Sequence, residues 1–214
     1  MRSPPGQRLL RFDRNLDVRY VAGADEAGRG SLAGPLVVAG VLLDYEHLRG
    51  HRVRSLATLN DSKQVEPEER ERLYRAVIAS ARQFSVRVIP APRIDRDGLH
   101  RCNLWGLRSV LVDLGEADAR LVDGFKLGPS APPHRAVVDG DTKSAAIAAA
   151  SIIAKVTRDR LMRRLDAVHP RYGFASHVGY ITPTHTAAVR QHGPCPQHRL
   201  SFNAKAYGEA ADAA

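Results

Sequence analysis

Two apolar runs, YVAGADEAG over residues 20–28 and PLVVAGVLLD over 35–44, flank the glycine-rich segment RGSLAG. Their Val and Leu content, with glycines between them, predicts two adjacent strands opening the fold like a hairpin. Glu66-Pro67-Glu68-Glu69 then sets acids and a proline where a helix begins, and Leu73, Tyr74, Val77, Ile78 and Ala81 recur as one helical face. Residues 84–89, FSVRVI, alternate as a strand does and stop before Pro90 and Pro92. A second helical pattern, marked by Leu104, Leu107, Leu111 and Leu114, runs to Gly115. Two short strands follow, RLVDG over 120–124 and RAVVD over 135–139, and the FKLGPSAPPH segment between them reads as a loop. From Ser144 a long helix is predicted, because Ile147, Ala150, Ala154, Leu161, Leu165 and Val168 repeat at helical spacing. Lys155, Arg158 and Arg163 fall mostly off that stripe.

After His169-Pro170 the regular pattern fades. Residues 170–208 are dense in Gly, Pro, His and aromatics, and only TAAVRQ resembles a helical turn. The expected organisation is one domain over 1–168 and an appended lobe of short pieces over 169–214, its GEAADAA end frayed from about residue 208. No internal repeat is found. The order of elements predicts an α/β fold with a mixed sheet covered by helices.

At 214 residues the chain is long enough to bury a core without disulfides or structural metals. Its 32 Lys and Arg against 23 Asp and Glu give a formal charge of +9, which favours a polyanionic partner. A coding bias toward Arg is the plainer source of the same excess. Cys102 and Cys195 are too few for a secreted disulfide framework and fit a reducing interior, so the cytoplasm is the expected compartment. No apolar run approaches the ~18 residues that cross a bilayer. The start, MRSPPGQRLLRFDRN, lacks the apolar segment of a signal peptide, so a soluble protein without a membrane partner is expected.

Four acids stand where chemistry would place them. Asp25 and Glu26 end the first strand, Asp123 ends a later one, and Asp141 lies just before the long helix. Burying ionised carboxylates without partners is costly, so their convergence implies cationic side chains or metal ions, and all-oxygen ligands suit Mg²⁺ or Mn²⁺. Taken singly, an Asp at a strand end is a turn former. Asp139, two residues before Asp141, leaves open which of the two faces the site. Strand alternation turns Asp25 and Glu26 to opposite faces unless the backbone distorts, which Gly28 and Gly30 would permit, or unless Glu26 offers its carbonyl. Gly28-Arg29-Gly30 surrounds a five-donor guanidinium with flexible backbone suited to a sugar-phosphate chain, and it reads equally as a hairpin turn with a solvated Arg. Asp61-Ser62-Lys63 and Lys143 add a hydroxyl and ammonium groups near helix starts, where phosphates are readily held, although solvated loop lysines are the bland reading. A zinc site on His192, Cys195 and His198 is opposed by the interleaved Pro194 and Pro196 and by the lack of a fourth ligand.

Five segments in order, YVAGADEAGRGSLAGPLVVAGV, LNDSK, LVDG, GDTKSAAIAAASIIAKVTRDRLM, and YGFASHVGYITPTH with HGPCPQHRLSF, resemble the ribonuclease HII (type 2 ribonuclease H) family from about residue 20 to 205. The resemblance implies a ribonuclease H-like mixed sheet flanked by helices, with a small C-terminal helical and irregular lobe. It implies a Mn²⁺- or Mg²⁺-dependent endonuclease acting on the RNA strand of RNA–DNA hybrids and 5′ of single ribonucleotides in duplex DNA, as in ribonucleotide excision repair, leaving 5′-phosphate and 3′-hydroxyl ends. Asp25, Glu26, Asp123 and Asp141 match its metal-binding acids. Asp141 is preferred to Asp139 because it stands two before Lys143 and ten before Ser151. Gly28, Arg29 and Gly30 match the loop that grips the ribonucleotide–deoxynucleotide junction, and Tyr180 matches the tyrosine that stacks on the following deoxyribose. Lys63, Lys143, Ser151 and Lys155 match positions near the site or the nucleic-acid backbone.

A pair of cations ~3.5–4 Å apart, one activating water and one steadying the leaving oxygen, is the mechanism this implies, in a protein expected to act as a monomer. Two departures stand out: Ser31 where the family more often has Pro, and Asp139 where it more often has Lys, which suggests a looser loop and a more acidic site. A non-catalytic nucleic-acid-binding module would explain the charge but leave four acids beside a polyanion. Another metal-dependent enzyme, such as a phosphatase or transposase-like nuclease, would share the acids without requiring the GRG loop and the GY segment.

Overall fold

The computed structural model describes residues 4–48, 51–63, 65–202 and 204–207, so the frayed end expected from residue 208 lies outside the described residues. Along the chain run α1 (Pro5–Arg14), β1 (Tyr20–Ala27), β2 (Leu36–Asp44), α2 (His51–Ser55), α3 (Pro67–Ser80), β3 (Gln83–Ile89), α4 (Ala91–Asp97), α5 (Leu99–Asp113), β4 (Ala119–Asp123), β5 (Arg135–Val137), α6 (Ala145–Val168), α7 (Phe174–His177) and α8 (Pro183–His192). Short 3₁₀ turns cover Gly140–Thr142, Pro170–Tyr172 and Leu200–Phe202.

Among the described residues the five strands form one sheet in the order β3-β2-β1-β4-β5. β1, β4 and β5 are parallel, with Ala24 opposite Val122 and Asp123 opposite Val137. The Tyr45 amide, just past β2, donates to Arg19 O just before β1, and the Arg82 amide before β3 donates to Leu42 O near the end of β2. Those contacts run β2 antiparallel to both neighbours, giving the expected mixed α/β sheet flanked by helices.

The chain divides into two compact units, one of Met1–Glu26, Val38–Arg87 and Leu104–Val156, the other of Ala27–Val37, Val88–Asn103 and Thr157–Ala214. In the first, α6 lies directly on β1. Every residue from Ala145 to Ala150 is wholly buried, and a Cβ added to Gly23 would stand 2.1 Å from the Ala146 carbonyl carbon. A run of small residues on the helix and a glycine in the strand are therefore what bring the turn before α6 up to the end of the sheet. Asp13 of α1 fastens that helix start: its Oδ2 accepts the Ala146 amide at 2.9 Å and the Tyr45 hydroxyl at 2.7 Å.

The second unit has its own core of Leu32, Ala33, Met162, Tyr172, Phe174, Val189 and Ala206. The residues after 169 form short pieces, as expected, although α8 is longer than TAAVRQ because Thr182 caps it, its Oγ1 accepting the His185 amide at 3.2 Å. Two positions of the predicted α6 stripe are reversed. Val168 is 70% exposed, and Arg158, expected off the stripe, is wholly buried. Among the described residues no helix is long and apolar enough to cross a membrane.

Candidate functional site

Register places the first two acids together. Ala24 pairs with Val122 on parallel strands, so Asp25 and Asp123 each lie one residue further at the same sheet end, and in-register parallel neighbours share a face. Asp25 is buried, and its Oδ1 accepts the Glu26 amide at 2.7 Å. Burial first, then the charges of Glu26, Asp123 and Asp141, hold the Asp25 carboxyl well above the usual carboxylate range. Asp123 Oδ1 accepts the Gly140 amide at 2.6 Å, which ties the strand end to the turn carrying Asp141. Its own pKa is raised, mainly by burial and also by Asp139 and Asp61, while the Gly140 bond and Lys63 oppose the shift. Asp141 is buried in that 3₁₀ turn and pushed up to about 6 by burial, then by the charges of Asp61 and Asp123.

The choice between Asp139 and Asp141 has a geometric basis. Asp139 is exposed, with a left-handed backbone (φ 50°), and its carbonyl accepts the Thr142 amide and hydroxyl; Asp141 is the buried member, though the Asp139 charge still reaches Asp123. Glu26 lies within β1, which continues to Ala27, and its charge acts on Asp25 more strongly than those of the other acids.

Asp61 is the residue that sequence reading missed. Its side chain reaches Asp141 and its charge helps raise the Asp141 pKa, and its Oδ1 accepts the Lys63 amide at 2.9 Å. LNDSK drew notice for its hydroxyl and ammonium, and its acid looked like an ordinary turn former. Lys63 faces the group electrostatically, lowering both Asp123 and Asp141. Ser151 Oγ donates to Ser62 Oγ at 2.8 Å, fastening the 61–63 loop to α6, and Lys155 sits half-buried one turn further along that helix. Lys143 is exposed, its Nζ donating to Val138 O at 2.6 Å. Among the described residues no three His, Cys, Asp or Glu groups form a ready metal cage; these acids are coupled through their charges.

Gly28, Arg29, Gly30 and Tyr180 belong to the second unit. Arg158 organises them. Its Nε donates to Pro35 O at 3.0 Å, Nη2 to Ala33 O at 3.1 Å and Nη1 to Val178 O at 2.8 Å, and its guanidinium lies 5.6 Å from the centroid of the Tyr180 ring. A second buried arginine, Arg199, donates to Gly34 O and Arg29 O, each at 3.0 Å. Arg158 also explains Gly28, whose φ is +86° and whose added Cβ would sit 1.8 Å from the Arg158 Nε. Gly30 is different: it is exposed, and an added Cβ would meet nothing within 4 Å.

A chain of imidazoles holds the Tyr180 backbone. A carbonyl only accepts, so His185 Nδ1–H donates to Tyr180 O at 2.8 Å, and His185 Nε2 then accepts from His198 Nε2–H at 3.1 Å. His198 Nδ1 in turn accepts the Cys195 amide at 2.9 Å. Burial keeps both rings neutral, lowering His185 and taking His198 down to about 4. With both His198 nitrogens engaged, the zinc reading on His192, Cys195 and His198 has no support.

A family model described as ribonuclease HII matches residues 22–205. Ribonuclease HII of Salinispora arenicola is 51% identical over 185 residues, covering 86% of this chain and 67% of the relative. That of Acidothermus cellulolyticus is 48% identical over 198 residues, covering 91% of this chain and 63% of the relative. The chain thus spans about two thirds of the length of these curated relatives. The crystal structure of ribonuclease H2 from Pyrococcus horikoshii superposes with a TM-score of 0.74 at 26% identity, covering 90% of this chain and 97% of that one. The chain belongs to the ribonuclease HII family, a family of nuclease hydrolases.

Proposed function

We propose that this protein is an endonuclease that cuts the RNA strand of RNA–DNA hybrids and cuts 5′ of single ribonucleotides in duplex DNA, using divalent cations held by Asp25, Glu26, Asp123 and Asp141. The observation that carries the reading is the position of Asp25 and Asp123, side by side at the ends of two parallel strands, with Asp141 close enough for its charge to add to the effect of burial, Glu26 and Asp123 on the Asp25 carboxyl. A polyanionic substrate would be repelled by that group unless cations balanced it. The donor set fits: it is all carboxylate oxygen, as Mg²⁺ and Mn²⁺ prefer, and its raised pKa values are what a bound cation would reverse. When bound, such ions supply an activated water and stabilise the leaving 3′ oxygen.

The protein's own groups do the remaining work. Asp123, anchored by the Gly140 amide, has its carboxylate fixed against the turn that carries Asp141. Lys63 and Lys143 offer point charges to backbone phosphates. The backbone at Gly28 to Gly30 tests for the ribose 2′-hydroxyl, the group that separates RNA from DNA, and the empty space over Gly30 gives it room to approach. Tyr180, its carbonyl held by His185 and its ring flanked by Arg158, stacks on the next sugar and disfavours a second ribose.

The test is a cleavage panel of duplex DNA with one ribonucleotide, a continuous hybrid and all-DNA duplex, each in Mg²⁺, Mn²⁺ and EDTA. Cutting of the first two substrates only, and only with metal, is expected. Asp123→Asn should abolish turnover while retaining binding, and Tyr180→Ala should reduce cutting at the single ribonucleotide. Full activity in EDTA, or equal cutting of all-DNA duplex, would overturn the reading.

A further inference from the structure

Outside the segment matched by the family model, α1 carries Arg8 and Phe12 one turn apart, which sets them on the same helix face. Together with Thr142 and Lys143 they line an open cavity of about 330 Å³ in the first unit. Arg8 Nη2 donates to Thr142 O at 3.4 Å, so the helix is tied to the turn that carries Asp141. A third cation joins from β5: the Arg135 guanidinium lies over the Phe12 ring, 6.0 Å from its centroid.

Arg8, Arg135 and Lys143 are all exposed, and among the described residues none of them pairs with a carboxylate. Their recorded polar partners are backbone carbonyls, one for Arg8 and one for Lys143, which leaves most of the donors of each guanidinium pointing outward. Some other surface arginines are paired, Arg72 with Glu69, Arg87 with Asp113 and Arg96 with Asp97, and others such as Arg75 are not; what sets Arg8, Arg135 and Lys143 apart is that they gather at one cavity. Three cations unpaired with carboxylates surround an aromatic floor, and Lys143 among them stands two residues along the chain from the buried acid Asp141, so a local positive field lies beside a negative one. A duplex carries a charge every ~1.7 Å along its axis, so a strand brought to the acids must place further phosphates within reach of that field.

We infer that the cavity between α1 and the Thr142–Lys143 turn is a phosphate subsite, binding a backbone phosphodiester of the nucleic-acid strand away from the bond that is cut. Arg8, Arg135 and Lys143 neutralise the phosphate, and the Phe12 ring gives an apolar seat to the neighbouring sugar. This inference rests on the nuclease reading for the identity of the strand and for the phosphate-facing Lys143, and it adds Arg8, Phe12 and Arg135, which that reading leaves idle.

The experiment measures binding of a labelled DNA duplex with one ribonucleotide across a salt series, in EDTA so that nothing is cut. Against wild type, the double variant Arg8→Gln/Arg135→Gln is expected to lower the slope of log affinity against log salt by about 1–2, the loss of one or two phosphate contacts. Arg8→Lys/Arg135→Lys should restore the slope, which separates lost charge from misfolding. Arg75→Gln, one charge removed from an exposed position on α3, should leave it at the wild-type value. An unchanged slope in the double Gln variant, or an equal fall in Arg75→Gln, would overturn the subsite. Cleavage by wild type decides the nuclease reading separately, since the slope is read without turnover.

Discussion

Gly28 and Gly30 look alike in the sequence and differ in the structure. Gly28 is held left-handed over the Arg158 side chain, so Gly28→Ala should cost roughly 2–4 kcal/mol from backbone strain and overpacking, measured by urea unfolding. Gly30→Ala should change stability by less than about 0.5 kcal/mol, since its neighbourhood is open. Its effect belongs to substrate approach, with cleavage at a single ribonucleotide falling about tenfold or more. Equal destabilisation by the two substitutions would contradict this division. Arg158→Lys keeps the charge but cannot reach three carbonyls at once, and a loss of about 2–4 kcal/mol is expected from charge-assisted hydrogen bonds. The motif residues were legible as residues. What no local pattern revealed was that Arg158, three positions past Lys155 on a helix that reads as amphipathic, is a buried strut, or that Asp61 joins the acids; both facts depend on contacts with distant segments.

Elements were legible where periodicity was clean. β1, β2, α3, β3, α5 and α6 fall close to their expected places because each carries a continuous apolar face or run. α1 was missed because its buried Leu9 and Leu10 stand among arginines behind Pro4-Pro5, which reads as a break although Pro5 opens the helix. α4 was hidden the same way, by Pro90 and Pro92. The missed α1 matters to the site through Asp13, whose carboxyl is raised to about 6 by burial, against the pull of its hydrogen bonds from Ser144, Tyr45 and the Ala146 and Ala145 amides. A raised carboxyl stabilises the fold in its protonated form. That contribution is complete below pH 3.8 and is lost as pH rises through about 6. Asp13→Asn, which cannot ionise, should therefore gain on wild type by on the order of 3 kcal/mol across that window, as read from unfolding curves at stepped pH. A stability difference that stays flat with pH would show that Asp13 does not titrate there.

At the scale of the molecule, a net charge of +9 and a buried group of acids are opposite features of one chain. The excess of cations suits a polyanion, and under the proposed function divalent ions would let the acids share a site with it. Charge and motif order were visible without coordinates. The register that sets Asp25 beside Asp123 was not, because parallel pairing between strands nearly a hundred residues apart has no local signal.

Calorimetric titration of Mn²⁺ into the wild-type protein and into Asp25→Asn/Asp123→Asn/Asp141→Asn, with folding of both checked beforehand, addresses that arrangement most directly. Saturable binding by wild type and none by the triple variant is the predicted result. Undiminished Mn²⁺ binding after all three carboxylates are removed would contradict the account.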